Sequence, residues 1–294
     1  MLSDEIQHVR RFNRTVTQRI GVLSDEYLSR QRPLGASRLL WEIAADGSDA
    51  RSLRARLDLD SGYLSRLLRM LENEGLVTVE PHADDQRVRL IRLTEAGHRE
   101  RAEIDRRSDE LAHSLLSSLD DGSQRQLLDA MATVERLLTA GLVDVRIVDP
   151  SNKAAAFCVR SYFSELDARF DAGFDLEVSK SADISEFAEP TGLLLVAHLH
   201  DEPVGCGALR FYAQGTDVKR MWVAKSARGL GVGRRILGEL ERHARERGIT
   251  SLRLETNRNL HEAINLYRST GYVEVDAFNR EPYAHHWFAK DLTT

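Results

Sequence analysis

The chain has 294 residues, with 41 basic against 46 acidic side chains, a formal net charge of -5 and a hydrophobic fraction of 42%. That length suggests about two domains, and the composition is that of folded rather than disordered protein. No apolar run approaches the ~18 residues of a membrane helix, the start (Met1-Leu2-Ser3-Asp4-Glu5) is acidic, and Cys158 and Cys206 supply no disulfide framework, so no membrane partner and a reducing cytoplasm are expected.

In chain order, Ile6, Val9, Phe12, Val16, Ile20 and Leu23 recur at steps of three and four, one stripe of a long helix. Leu39, Leu40, Ile43 and Ala44 mark a helix after Pro33-Leu34-Gly35, and a short helix is expected around residues 50–57. Asp60 suits the N-cap of a third helix that ends at Gly75. Its buried stripe is Leu64, Leu67, Leu68 and Leu71, and its other face carries Ser61, Tyr63, Ser65, Arg66 and Arg69. Short polar groups followed by arginine suit a helix that meets phosphates and guanine edges, although a merely solvated face has the same composition. Val77 and Val79 alternate, Pro81 to Arg87 form a loop, and 88–94 return as a strand, so helix-turn-helix plus hairpin makes a winged helix. Long amphipathic helices over 95–119 and 123–140 close this half, either as a dimer interface or packed within one chain.

Three stretches carry a resemblance: Glu74-Gly75-Leu76-Val77, Asp85-Gln86-Arg87 and Leu93-Thr94-Glu95-Ala96-Gly97. They resemble the MarR family of dimeric regulators over residues 1–141. The resemblance implies that Arg87 is the wing arginine, held by Asp85, and that Gln86 replaces a second arginine often found there. One such module covers only about 600–1,000 Å² of DNA, so tight binding calls for a homodimer on double-stranded DNA with an inverted-repeat operator.

The pattern changes near 141–145, where helices give way to alternating strands and helices. The strand 218–223 leads into Arg228-Gly229-Leu230-Gly231-Val232-Gly233, which opens a helix over 233–247 burying Ile236, Leu237, Leu240 and Ala244. A glycine-dense turn between strand and helix lets backbone N–H groups face a diphosphate. The spacing is neither G-x-G-x-x-G with a following acidic residue nor a Walker loop. Next come the strand 251–256 and Glu262-Ala263-Ile264-Asn265-Leu266-Tyr267-Arg268-Ser269-Thr270-Gly271-Tyr272.

These two motifs resemble the GNAT acetyltransferases over residues 145–294. The implied fold class is therefore two domains. A mainly-α winged helix-turn-helix with dimerisation helices (1–141) precedes an α/β mixed sheet with splayed strands (145–294). The resemblance further implies acetyl-CoA as co-substrate. The backbone of Met221 and Val223 would hold its pantetheine arm, and Arg228, Gly229, Gly231, Gly233 and Arg234 would surround its diphosphate. Tyr267 stands where the family's tyrosine protonates the departing sulfur; no single base stands out, with Glu255 and Asp217 as candidates and a water chain as the alternative. Leu260 occupies a position often held by asparagine, with Asn257 and Asn259 nearby.

No metal is expected. His198 with His200, and His285 with His286, lack a third ligand at useful spacing, and acyl transfer needs none. Cys206 lies between Gly205 and Gly207, where an acyl-cysteine route would require a neighbouring base. The expectation is thus a transcriptional regulator that is also an N-acetyltransferase acting on a primary amine of a small molecule or peptide. Two alternatives stand beside it: an acetyltransferase with a vestigial DNA-binding domain, and a regulator whose second half only senses acetyl-CoA or a small ligand. Arg66, Arg69 and Arg87 weigh against the first and Tyr267 against the second.

Overall fold

The computed structural model describes residues 2–20, 28, 32–81, 88–171, 173–175 and 183–293. Asp85, Gln86 and Arg87, the expected wing arginine, lie outside the described residues, as does Leu23. The chain forms two compact units, 1–131 and 132–294. By contacts the division falls inside the helix that precedes 141–145, whose last turn packs with the second unit: Ala140 O accepts from Arg235 Nη1, and Val143 just after it is buried in the second unit's core.

The first unit begins with α1 (Leu2–Arg19) and α2 (Leu34–Glu42), which stops short of Ile43 and Ala44. There follow β1 (Ser48–Asp49), α3 (Ala50–Leu57), α4 (Ser61–Asn73), β2 (Val77–Pro81) and β3 (Arg89–Leu93). Asp60 caps α4 by accepting from Tyr63 N at 2.8 Å, and Gly75 ends it with a φ of +68°, the left-handed turn that favours glycine. Leu64, Leu67 and Leu71 of α4 meet Leu39 and Leu40 of α2 and Ile91 of β3 in the core. The three strands pair antiparallel in the order β1-β3-β2, so the winged helix is present.

Two long helices complete the series, α5 (Glu95–Ser117) and α6 (Asp121–Gly141). Thr94 caps α5 through Gly97 N, and the approach there is close: a Cβ on Gly97 would lie 2.0 Å from Leu76 O. Among the described residues of the stripes on α1, α5 and α6 only Ile104 is buried, while Ile6, Val9, Phe12, Met131 and Leu138 are exposed and α6 buries no residue.

The second unit runs β4 (Asp144–Val148), α7 (Lys153–Arg169), β5 (Gly192–Leu199), β6 (Glu202–Tyr212) and β7 (Gly215–Val223). It continues with α8 (Val232–Glu246), β8 (Ser251–Thr256), α9 (His261–Ser269), β9 (Val273–Val275) and β10 (His286–Asp291). The helix α7, absent from the sequence expectation, is capped by Asn152 and buries Ala155, Cys158, Val159 and Leu166. The sheet order is β4-β5-β6-β7-β8-β10-β9. One face packs on α8 through Ile236, Leu237, Leu240 and Ala244, and the other on α7 through Ala155 and Cys158. Every pairing is antiparallel except β7 with β8, which is parallel and registers only at Asp217 and Arg253. Beyond that rung the two strands part. Among the described residues no helix is long and apolar enough to cross a membrane.

Candidate functional site

The parting of β7 from β8 makes a cleft, and a bulge on β7 aims the backbone into it. Cys206 pairs with Trp222 and Ala208 with Lys219, so Arg220 and Met221 together oppose Gly207. Arg220 takes a φ of +57°, unusual for a residue with a side chain. Glycine is needed at 207 because a Cβ there would lie 2.6 Å from Ile236 and 2.7 Å from Met221 Sδ. Cys206 is buried and gives its thiol hydrogen to Arg220 O at 3.1 Å. Contact with Cys158, then burial, pushes the Cys206 thiol well up, so it stays protonated and is a poor nucleophile.

From Met221 and Val223 the cleft runs to the N-terminus of α8, with a volume of about 420 Å³. Gly229 and Gly231 have φ of +81° and +76°, and no atom lies within 4 Å of a Cβ built on either. Gly231 is the N-cap of α8, and no side chain caps the helix. An open glycine turn beneath an uncapped helix start leaves backbone N–H groups free to face an anion such as a diphosphate. Gly233 plays a different part, since a Cβ there would press on Leu266 of α9 at 3.3 Å.

The two arginines of this turn are already engaged. Arg228 Nη2 lies 2.6 Å from both oxygens of Glu165, a carboxylate of α7 that also accepts from Trp222 Nε1 at 3.1 Å and from Arg169 at 3.0 Å. Arg169 reaches across to Glu262 at 2.7 Å. Arg234 is more open and donates to Ser269 Oγ at 3.0 Å. Glu165 has no local sequence signal of this role, because its partner Arg228 stands 63 positions away. The available signal was the spacing of Ala155, Cys158, Val159, Tyr162 and Leu166 behind the Asn152 cap.

Tyr267 stands where this cleft meets a second, smaller one of about 100 Å³. The tyrosine is 4% exposed and packs between Tyr272 and Phe288, with ring centroids 5.9 Å away in each case. Burial, helped by Tyr162 and Glu255, pushes its phenol well up, so it keeps its proton. Among the described residues no hydrogen bond occupies its hydroxyl, which leaves that group available to a ligand.

Glu255 faces the smaller cleft, but as one half of an ion pair. Lys219 Nζ bonds its Oε1, and Asn279 Nδ2 donates to its Oε2 at 3.3 Å. Lys219 also lies 3.7 Å from Asp217, which Arg253 holds at 2.8 Å. Burial works to lower the Lys219 ammonium, but the charge of Glu255 with that of Asp217 outweighs it and leaves the group raised. Asn257 donates to Tyr283 O at 2.8 Å and accepts from Asn259 N at 2.9 Å, and Asn259 donates to Arg169 O at 3.0 Å. Asn257 lines the smaller cleft, and Asn259 braces it from behind. Leu260 lines both clefts in the place of an amide.

In the winged-helix unit, Ser61, Ser65, Arg66 and Arg69 of α4 are exposed on one side of the helix. Ser65 Oγ donates back to Ser61 O at 2.8 Å, and Arg66 lies over the Tyr63 ring at 5.6 Å. Tyr63 itself is half-buried and packs against Gly35, whose Cβ would lie 2.6 Å from its hydroxyl oxygen, so part of its role is structural. Arg51 and Arg54 of α3 and Arg89 of β3 line the same groove as Ser61, Ser65 and Arg69. These three arginines carry no local sequence signal, because they stand on α3 and β3 and join the α4 face only through the fold.

The histidine pairs serve other ends. His286 Nδ1 meets Glu274 Oε1 at 2.6 Å, and His198 pairs with Asp144 in the sheet. Among the described residues no three histidines, cysteines or carboxylates converge as a metal site would require.

Known proteins match each unit separately. Residues 159–272 match the acetyltransferase (GNAT) family and residues 38–97 a winged helix DNA-binding domain. An IAA acetyltransferase of Azospirillum brasilense is 36% identical over 116 residues, 39% of this chain and 76% of its own length. An uncharacterized HTH-type transcriptional regulator of Bacillus subtilis, YdgJ, is 32% identical over 89 residues, 30% of this chain and 54% of its own. Among solved structures, an acyl-CoA N-acyltransferase from Klebsiella pneumoniae, so described only provisionally, is 26% identical, covering 51% of this chain and 98% of its own, with a TM-score of 0.43.

Proposed function

From a chain that belongs to the GNAT acetyltransferase family and carries a winged-helix DNA-binding domain, we propose a cytoplasmic regulator of MarR type that also transfers acetyl from acetyl-CoA to a primary amine. The observation that carries the transferase half is the split sheet: β7 and β8 part after one rung, and the opening leads from Tyr267 to the uncapped start of α8. The residues fit acetyl-CoA, which supplies an activated acyl thioester. Backbone N–H groups of the 229–233 turn, with Arg234, take the diphosphate, and Arg228 joins them as far as Glu165 releases it. The free edge of β7 at Met221 and Val223 takes the pantetheine amides. Tyr267, kept protonated, donates to the sulfur as the C–S bond breaks. Glu255 takes the proton that the attacking amine loses.

The regulatory half rests on the exposed Ser61, Ser65, Arg66 and Arg69 and on the arginines around them. Exposed apolar residues on α1 and α6 support a homodimer that covers them, and two such modules suit an inverted-repeat operator. Residues 1–141 are the module assigned to this work and 145–294 the transferase. Calorimetry with coenzyme A and thiol release over an amine panel test the enzyme. Gel shift on inverted-repeat DNA at stated salt tests the regulator. Absence of heat with coenzyme A from folded protein overturns the transferase reading, and salt-insensitive or absent DNA binding overturns the other.

A further inference from the structure

The smaller cleft beside Tyr267 has a charged floor and an aromatic wall, and together they select a chemical class of acceptor. On the floor, Lys219 and Glu255 are bonded to one another with side chains only 17% and 11% exposed, and both line the cleft. On the wall, Phe174 and Tyr283 have ring centroids 4.8 Å apart, and Phe170 lies 5.6 Å from Tyr283. The wall is pinned, since Tyr283 O accepts from Asn257 and the Tyr283 hydroxyl accepts from Asp175 N at 3.0 Å.

A bare ammonium entering this cleft would gain Glu255 but face the like charge of Lys219. A bare anion would meet the reverse. A molecule carrying both charges two bonds apart satisfies both at once, by inserting antiparallel to the Lys219–Glu255 pair. Resting on the acetyltransferase reading above, we infer that the acceptor is a free α-amino acid with an aromatic side chain. Its carboxylate engages Lys219, its amine faces Glu255, and its ring lies against Phe170, Phe174 and Tyr283.

This arrangement also accounts for a base that rests in an ion pair. When the acceptor's carboxylate takes over the Lys219 charge, Glu255 is released to accept a proton from the ammonium. The freed amine nitrogen then bonds to the acyl carbon, and the C–S bond breaks with its electron pair leaving on sulfur. The sulfur takes the Tyr267 proton. The second amine proton passes to solvent, from which Tyr267 is reprotonated. The products are the N-acetyl amino acid and the free coenzyme A thiol. Lys219 is thus a specificity-determining residue that acts on both binding and turnover.

The test measures thiol release by the full chain with L-phenylalanine, glycine, phenylalanine amide and 2-phenylethylamine, with coenzyme A calorimetry run alongside. L-Phenylalanine is expected to exceed both carboxylate-free amines in kcat/KM by about 30-fold or more, the loss typical of an unpaired buried charge, and to exceed glycine. In Lys219→Gln that ratio should fall towards one, with kcat for phenylalanine lowered as well as KM raised. If 2-phenylethylamine is the better substrate in the wild type, or the ratio survives in Lys219→Gln, the inference is overturned while the acetyltransferase reading stands. If coenzyme A gives no heat and no amine releases thiol, both fall together. The wild-type panel decides the matter even if the variant does not fold.

Discussion

The groove beside α4 and the surroundings of the transferase clefts use arginine in opposite ways. In the winged-helix unit Arg51, Arg54, Arg66, Arg69 and Arg89 are exposed, and among the described residues no ion pair holds them. In the transferase unit Arg228, Arg169 and Arg253 are tied to Glu165, Glu262 and Asp217. An open arginine meets a phosphate by releasing counterions, which gives affinity that falls steeply with salt. A paired arginine must exchange one partner for another, so its net gain is small and its main contribution is geometry. The proposed DNA face is therefore built for attraction and the proposed acyl-transfer cleft for position. Changes to the first should be graded and salt-dependent, and changes to the second abrupt.

The sharpest test is Tyr267→Phe, expected to lower kcat about 10²–10⁴-fold while thermal stability and gel shifts hold, because the ring keeps its place between Tyr272 and Phe288. The same assignment has a pH signature. A phenol pushed up by burial remains protonated as pH rises, so the wild-type rate should show no falling limb up to the ordinary phenol value of about 10. A limb well below that would break the assignment. Next in size, Ile236→Ala should destabilise the transferase unit by about 2–5 kcal/mol in chemical denaturation, since Ile236 is fully buried beneath the bulge of β7. Its gel shift should not move. Arg69→Ala should weaken DNA binding across all sequences and reduce the salt slope by about one, with thiol release unaltered. An unchanged slope would remove Arg69 from the phosphate contacts. The smallest effect is that of Asp60→Ala, about 1 kcal/mol of stability lost with the α4 cap, read by thermal melting.

What was legible in the sequence was what neighbouring residues decide. The Asp60 cap, the Gly75 turn, α3 and β8 are set by spacings of a few positions, and each stands where the pattern put it. The glycine turn was legible because strand, turn and helix are consecutive. Pairings across the fold were not. The Lys219–Glu255 bond joins residues 36 apart and the Glu165–Arg228 bond residues 63 apart, and neither carboxylate differs in sequence from a solvated one. The missing α7 has a similar cause: its aromatic residues fall on more than one face, which blurs the stripe that marked the other helices. The consequence reaches the chemistry, because the sequence marks Glu255 as a candidate base but not as a carboxylate held by an ammonium.

A sheet whose halves share one parallel rung has a seam through its middle. Most sheets fray from their margins, but here β8, β10 and β9 can loosen from β7 as a block. Amide protons along residues 218–223 should then exchange with solvent sooner than those of β6 beside them. Under the reading proposed above, a guest laid along that seam would stitch the block back and stiffen the whole unit as well as its cleft.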